Sequence, residues 1–433
     1  MLPSDRGARG RALAPVRTGL FRAVLPVVLA LLALGVGTAP AHADTVLSDQ
    51  WHLTRMQAQE MWRTSTGAGV TVALIDTRVR EVPELSGRLL PGKDFREGAA
   101  GERNDFGTTA ASVIAGTGKG PGGQESAFGL APGAKVLPLE ISSGQGTGNA
   151  AAQDDAVNAG LAPALRYAAD SDAKIISVSL SASSDTDEVR AAVDYARSKG
   201  KLIFAAVGES LIDAPLVRYP AATPGVVGVS AVGKDLNGLK KAGAGLAVDL
   251  SAPGEDIISA CAGGTGLCRS KGTAVATALA SASAALIWAE HPAWTANQVL
   301  RVMVGTAGGP TSGAVRNDYI GYGIVRPRIA LKTPGDPGAA DRDPISDYRT
   351  ASPTPRPSAS VSASASASQE PSGGAGSGPA QGAPAVAASD SGRSGAFWLA
   401  LAVCAAGLLC VGVAVPPLLA DRWRARPAGL SRP

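Results

Sequence analysis

The chain has 433 residues, 45% of them hydrophobic but only 4% aromatic, with four cysteines, three histidines and a formal charge of +4. The first 43 residues carry +4 and the last thirteen +3, so the stretch between them is mildly acidic at −3. Such a body lacks the clustered basic face that phosphate contacts need, which excludes nucleic acid as a partner.

From the N-terminus, Arg6, Arg9, Arg11, Arg17 and Arg22 precede an apolar run over 23–36, and Ala41-His42-Ala43 puts small residues at both positions a signal peptidase reads. The pattern predicts a secretory signal over 1–43, cut before Asp44, with an uncleaved anchor as the alternative.

Apolar runs at 70–76, 135–141, 174–180, 201–207 and 226–232 then alternate with helix candidates at 108–117, 150–170 and 186–199. Continuous apolar strands between helices predict an α/β fold, one parallel sheet with helices on both faces, over residues 44–333. Ligands of such sheets sit at the carboxyl ends of the strands. The first run ends there on Asp76, although a strand-ending aspartate can also do no more than cap the next turn. Cys261 and Cys268 bracket a Gly-rich loop and can close a small disulfide in an oxidising compartment.

Past residue 334 the composition turns to Pro, Ser, Ala and Gly, with "SASVSASASAS" at the centre, and predicts a linker over 334–395 because too little apolar surface is available to offset chain entropy. Residues 396–420 hold no charge and are long enough, at about 1.5 Å per residue, to cross a roughly 30 Å hydrocarbon core, so they predict one transmembrane helix. Cys404 and Cys410 fall inside it as small packing residues. The tail 421–433 carries Arg422, Arg424, Arg426 and Arg432 against Arg393 alone on the other flank, which predicts a cytoplasmic C-terminus and an extracellular domain on a single-pass membrane protein.

The motif series "VTVALIDTRV", "NDFGTTAASVIAG", "APGAKVLPLEI", "FAAVGES", "YPAATPGVVGVSAV", "VDLSAPGEDIIS" and "KGTAVATALASASAAL" resembles the subtilisin-like serine proteases, in the chain order Asp, His, Ser known for that geometry. The closer resemblance is to the mycosins, the membrane-anchored subtilases of actinobacterial type VII secretion. It rests on the signal, an early "QWHL" over 50–53, the linker, the single span and the short basic tail. Too few residues separate Asp44 from the first strand for an independently folding propeptide, which is also mycosin-like. The resemblance implies a subtilisin-like fold, no cofactor and no metal. It implies as partners a secretion complex or an exported polypeptide, besides the cytoplasmic membrane.

At the family's catalytic positions the residue types change. The aspartate falls on Asp76, but the histidine falls on Phe106, the serine on Ala274 and the oxyanion-hole asparagine on Glu209. Phenylalanine moves no proton, alanine has no oxygen to attack a carbonyl, and a carboxylate repels the oxyanion that a donor would stabilise. Arg78, Thr109 and Ala278 depart from the family's glycine, histidine and proline, and "SVSLSASS" over 177–184 lacks the glycines that let substrate backbone approach. Of the remaining histidines, His52 fits packing, and His291, on one continuous helix, would lie about 25 Å from Ala274. Ser270 and Ser281 do not project where a nucleophile must. Glu209 is expected to point to solvent or pair with Arg78 or another cation, or else to form an acid pair with Asp76. The whole predicts a pseudoprotease that acts by binding, with two rivals: a divergent endopeptidase, and a structural paralogue that pairs with an active mycosin.

Overall fold

The structure, a computed structural model, describes residues 45–96, 105–209, 218–261, 266–311 and 315–346. The signal, the span at 396–420 and the basic tail lie outside the described residues.

Seven strands form one parallel sheet: β1 (Thr71–Asp76), β2 (Lys93–Asp94), β5 (Lys135–Glu140), β6 (Ile175–Val178), β7 (Leu202–Ala206), β8 (Val227–Val232) and β9 (Leu250–Pro253), in the order β2-β5-β1-β6-β7-β8-β9. Two hairpins flank it, β3 (Thr117–Lys119) with β4 (Glu125–Phe128) and β10 (Ile257–Ala260) with β11 (Leu267–Ser270). The five apolar runs are the five central strands. The sequence pattern leaves out β2 and β9 because both are short: β2 is exposed and charged, and β9 is broken by Pro253. The expected α/β class therefore stands, with a wider sheet.

Successive strand residues face opposite sides, so the sheet carries two cores. Val72 and Leu74 of β1 point into one, beside helices α1 (Phe106–Ala115) and α4 (Thr273–Glu290). Ala73 and Ile75 point into the other, beside α2 (Ala150–Asp170) and α3 (Asp187–Ser198). Helix α4 is built from Ala, Ser and Thr with few large side chains, which lets it run close across the sheet. It is buried on every side, as a helix apolar all round must be. Among the described residues it is the one helix long and apolar enough to cross a membrane, and its burial identifies it as a core element. It stops at Glu290, so His291 caps it and does not continue it.

The folded part runs past the expected boundary at 333. Helix α5 (Ala296–Thr306) receives the segment that follows: Gln298 Nε2 donates to the Gly338 carbonyl at 2.9 Å, Thr295 Oγ1 to that of Ala340 at 2.9 Å, and Ile345 is buried. Composition hides this docking, because backbone carbonyls of a Pro/Gly-rich stretch make most of it. Cys261 and Cys268 are joined across the β10–β11 hairpin with their Cα atoms 5.2 Å apart.

The N-terminal segment is locked to the hairpins. Gln50, wholly buried, donates through Nε2 to the Phe128 and Ile258 carbonyls at 2.8 and 3.1 Å, and its Oε1 accepts the Phe128 amide at 3.0 Å. Trp51 Nε1 donates to the Glu255 carbonyl at 2.7 Å. His52, next in line, is fully buried with neither ring nitrogen hydrogen-bonded, and burial lowers it to about 3.

Candidate active-site rim

Asp76 closes β1 at the carboxyl edge of the sheet and is buried. Its Oδ1 accepts the Thr77 amide at 2.6 Å and lies 3.3 Å from the Thr77 hydroxyl. Burial is the strongest influence on the carboxyl and raises it to about 6, against donors on Ser179 and Thr77 that favour the charged form. Thr77 Oγ1 in turn accepts the Gly107 amide at 3.1 Å, so one hydroxyl links the strand-end carboxylate to the first turn of α1. The approach is close enough to require glycine: a Cβ at Gly107 would lie 2.4 Å from the Thr77 carbonyl oxygen and 2.9 Å from that of Arg78. The turn is held from two further sides. The Arg80 amide donates to Thr108 Oγ1 at 2.9 Å, and Glu140, paired in register with Asp76, accepts the Val79 amide at 3.1 Å.

This bracing puts Phe106 at the first position of α1, beside the Asp76 turn, with 60% of its surface exposed. The ring there moves no proton.

At the other side of the rim, β7 leads into Glu209. Its Oε1 accepts the Thr273 amide at 2.7 Å and the Thr273 hydroxyl at 3.1 Å. Thr273 opens α4 and directly precedes Ala274, which is half-buried. Gly272 before it has φ 122°, a conformation for glycine alone, and a Cβ there would meet Glu209 Oε1 at 2.3 Å. Glu209 is exposed, and its carboxylate has a partner that the expectation did not include. The side chain makes no ion pair with Arg78 or any other described cation, and its bound oxygen is committed to Thr273 and not to an acid pair with Asp76. The physical reason is local: the first amides of α4 have no intrahelical acceptor, Gly272 has no side chain to cap them, and the helix dipole favours an anion there.

The other singled-out residues are kept away from this chemistry. The Ser281 hydroxyl is buried within α4 without a partner, and Ser270 sits at the end of β11. His291 stacks on Trp294, ring centroids 3.8 Å apart. Thr109 and Ala278 are buried packing residues, and Arg78 is half-buried in the strand-end turn. Within 177–184, Ala182 exchanges two hydrogen bonds of 2.9 Å with Tyr219, so part of this backbone is already paired within the chain. Among the described residues no cluster of three or more His, Cys, Asp or Glu side chains gathers to hold a metal ion. Thr77, Gly107 and Thr273 are the rim residues that motif reading passes over. Their signal is a threonine directly after the strand-end aspartate and a Gly-Thr pair at the start of each rim helix.

A parallel sheet that ends in a buried carboxylate beside the N-termini of two small-residue helices defines the rim of a serine-hydrolase fold in the order Asp, His, Ser. The chain belongs to the subtilase family: residues 67–323 match Peptidase S8. It is 31% identical to thermitase of Thermoactinomyces vulgaris over 215 residues, 49% of this chain and 72% of that protein. Among solved structures it is similar to MycP1 from Mycobacterium smegmatis, with a TM-score of 0.57 and 27% identity, covering 67% of this chain and 86% of that one. It is also similar to a chain of the periplasmic assembly from the ESX-5 inner membrane complex, with a TM-score of 0.59 and 26% identity, covering 75% and 90%. The resemblance to mycosins, read in the sequence from features around the subtilase domain, is thus joined by a likeness of fold.

Proposed function

We propose that this chain is a catalytically inactive, mycosin-like subtilase that acts by binding within or beside a type VII secretion complex. The observation that carries the reading is the Glu209 carboxylate on the Thr273 amide at 2.7 Å, one residue before Ala274. In this family reading the donor that would hold a developing oxyanion is replaced by an anion, and a backbone amide of the same helix end is already engaged by it. Phe106 supplies no base and Ala274 no nucleophile; triad members act as a unit, so either loss alone removes most of the catalysis, and the residual rate that an oxyanion hole would supply is opposed by the carboxylate. The divergent-endopeptidase reading gains nothing from the two serines nearest Ala274 in the sequence, since Ser281 is buried and Ser270 belongs to a hairpin.

The same proposal includes the topology: a cleaved signal, the subtilase domain outside with Cys261 and Cys268 oxidised, one span at 396–420 and a basic cytoplasmic tail. Its partners are proteins of the secretion complex or an exported polypeptide, as the likeness to a chain of the ESX-5 assembly suggests.

Full-length protein treated with a fluorophosphonate probe is expected to show no labelled serine and no turnover of peptide substrates. Ala274→Ser alone stays inactive, whereas Ala274→Ser with Phe106→His and Glu209→Asn regains partial labelling, with Asp76 orienting the new imidazole. Labelling of the unaltered chain at a defined serine would overturn the reading.

A further inference from the structure

We infer that a groove sharing no residue with the rim binds an acidic, extended polypeptide segment of a partner protein. The groove is a cavity of about 630 Å³ with an apolar wall that includes Met56, Pro253, Ile320 and Ile324, between the N-terminal segment and the turns on either side of Ile324. Three arginines, Arg55, Arg326 and Arg328, line it, and among the described residues no carboxylate does. Arg326 is fixed by its own hydrogen bonds, Nε to the Thr306 carbonyl at 2.8 Å and Nη2 to that of Ala307 at 2.7 Å. Among the described residues neither Arg55 nor Arg328 pairs with a carboxylate. A chain whose body carries net negative charge thus concentrates unmatched positive charge around one apolar hollow.

The rim of this groove is rigid and strained. Tyr319 is 64% exposed, on a turn whose backbone is fixed by Asn317 Oδ1 accepting the amides of both Tyr319 and Ile320 at 2.9 and 2.8 Å. A Cβ at Gly238 would lie 3.1 Å from the Tyr319 Cβ, so the opposite wall approaches the tyrosine through a bare backbone. Leu236, also lining the groove, has φ 64°, a left-handed conformation that a leucine adopts only under strain. An exposed aromatic, arginines and an apolar floor are the composition of protein-binding hot spots. The guanidinium fork matches a carboxylate in two bonds, which commits the occupant to Asp or Glu flanked by apolar side chains. A flat lipid surface would not enter the concave, apolar part, so a peptide fits better than an anionic membrane.

The test uses full-length protein in phosphatidylcholine nanodiscs, panned against a random heptapeptide phage library. Selected peptides are expected to gain Asp or Glu beside an aliphatic or aromatic residue. The strongest, synthesised with a fluorophore and measured by anisotropy, is expected to bind Arg55→Glu/Arg328→Glu about tenfold more weakly or worse, and to bind Tyr319→Ser more weakly than the unaltered chain. Arg55→Gln/Arg328→Gln serves the same comparison if charge reversal prevents folding, as judged by thermal melting. Selection without carboxylate enrichment, or equal affinity of the arginine variants, overturns the proposal. So does arginine-dependent binding that appears only as adhesion to phosphatidylglycerol nanodiscs, which assigns the patch to lipid.

Discussion

The N-terminal segment and the rim both bury polar groups, but they do so in opposite ways. In the segment, Gln50 and Trp51 donate to carbonyls of β4, of β10 and of the turn before β10, and His52 is simply enclosed. At the rim, Asp76, Thr77, Gly107 and Thr108 keep a hydrogen-bonded frame beside the exposed ring of Phe106. The segment is held in place by packing. The rim is held by side-chain acceptors that fix backbone amides. Under the proposed function such bracing is kept because it also stabilises the sheet edge.

The largest expected effect separates the two regions by pH. His52 has a folded value of about 3 against 6.5 for the free side chain, so the unfolded chain binds a proton that the folded chain refuses. Stability therefore falls as pH drops from 6.5 towards 3, by up to about 5 kcal/mol from this group. His52→Leu is expected to flatten that acid limb in urea melts followed by tryptophan fluorescence. An unchanged limb would mean the segment opens before the core and is not the packed element described. Next in size, Gly107→Ala is expected to cost about 3 kcal/mol, because its Cβ meets backbone oxygens that cannot move without parting β1 from α1. Thermal melting reads it, and a loss no larger than for an exposed alanine substitution would break the claim that the rim frame is rigid.

Much of this contrast is legible in the sequence, and the limits are physical. Five central strands read as apolar runs because both of their faces are buried, and α2 reads at its full length because small and apolar residues recur along 150–170. Helix α1 is expected two residues late, since Phe106 and Gly107 do not look like a helix start until Thr77 supplies the partner for the Gly107 amide. The identities at Asp76, Phe106, Glu209 and Ala274 are visible in the motif series, and the role of Glu209 is not. Its acceptor bond to Thr273 joins residues 64 apart, and a contact of that separation leaves no mark on local periodicity. The docking of 338–345 escapes for the same reason, being made mainly through backbone carbonyls.

Asp76 sharpens the comparison in the opposite sense to His52. Its folded value of about 6 lies above the free value of 3.8, so the folded chain holds a proton there that the unfolded chain has lost. Stability falls as pH rises from about 4 to 6 and stays lower above it, by about 3 kcal/mol for this group. Asp76→Asn, which keeps an acceptor for the Thr77 amide, is thus expected to stabilise the protein at pH 8 by up to that amount and to do nothing at pH 3.5. Denaturant melts at the two pH values read it, and destabilisation at pH 8 would show that the carboxylate is matched by a charge and still has a partner to serve.

The smallest effect isolates the rim's one new contact. Glu209→Ala removes the acceptor from the first amide of α4, a loss comparable to deleting an N-terminal cap, so about 1 kcal/mol is expected. Glu209→Gln keeps an oxygen for Thr273 but loses the charge, and it should recover part of that loss, with the remainder reporting the anion's interaction with the helix dipole. The difference between alanine and glutamine should shrink little in salt, whereas that between glutamine and glutamate should shrink as salt rises, because Glu209 is exposed and exposed charge is screened. Alanine at 209 with no loss of stability in melts at either salt concentration would mean that water caps α4 as well as the carboxylate does. The helix end would then be open to a ligand's carbonyl, and the rim would be closer to a working oxyanion site than its residues suggest.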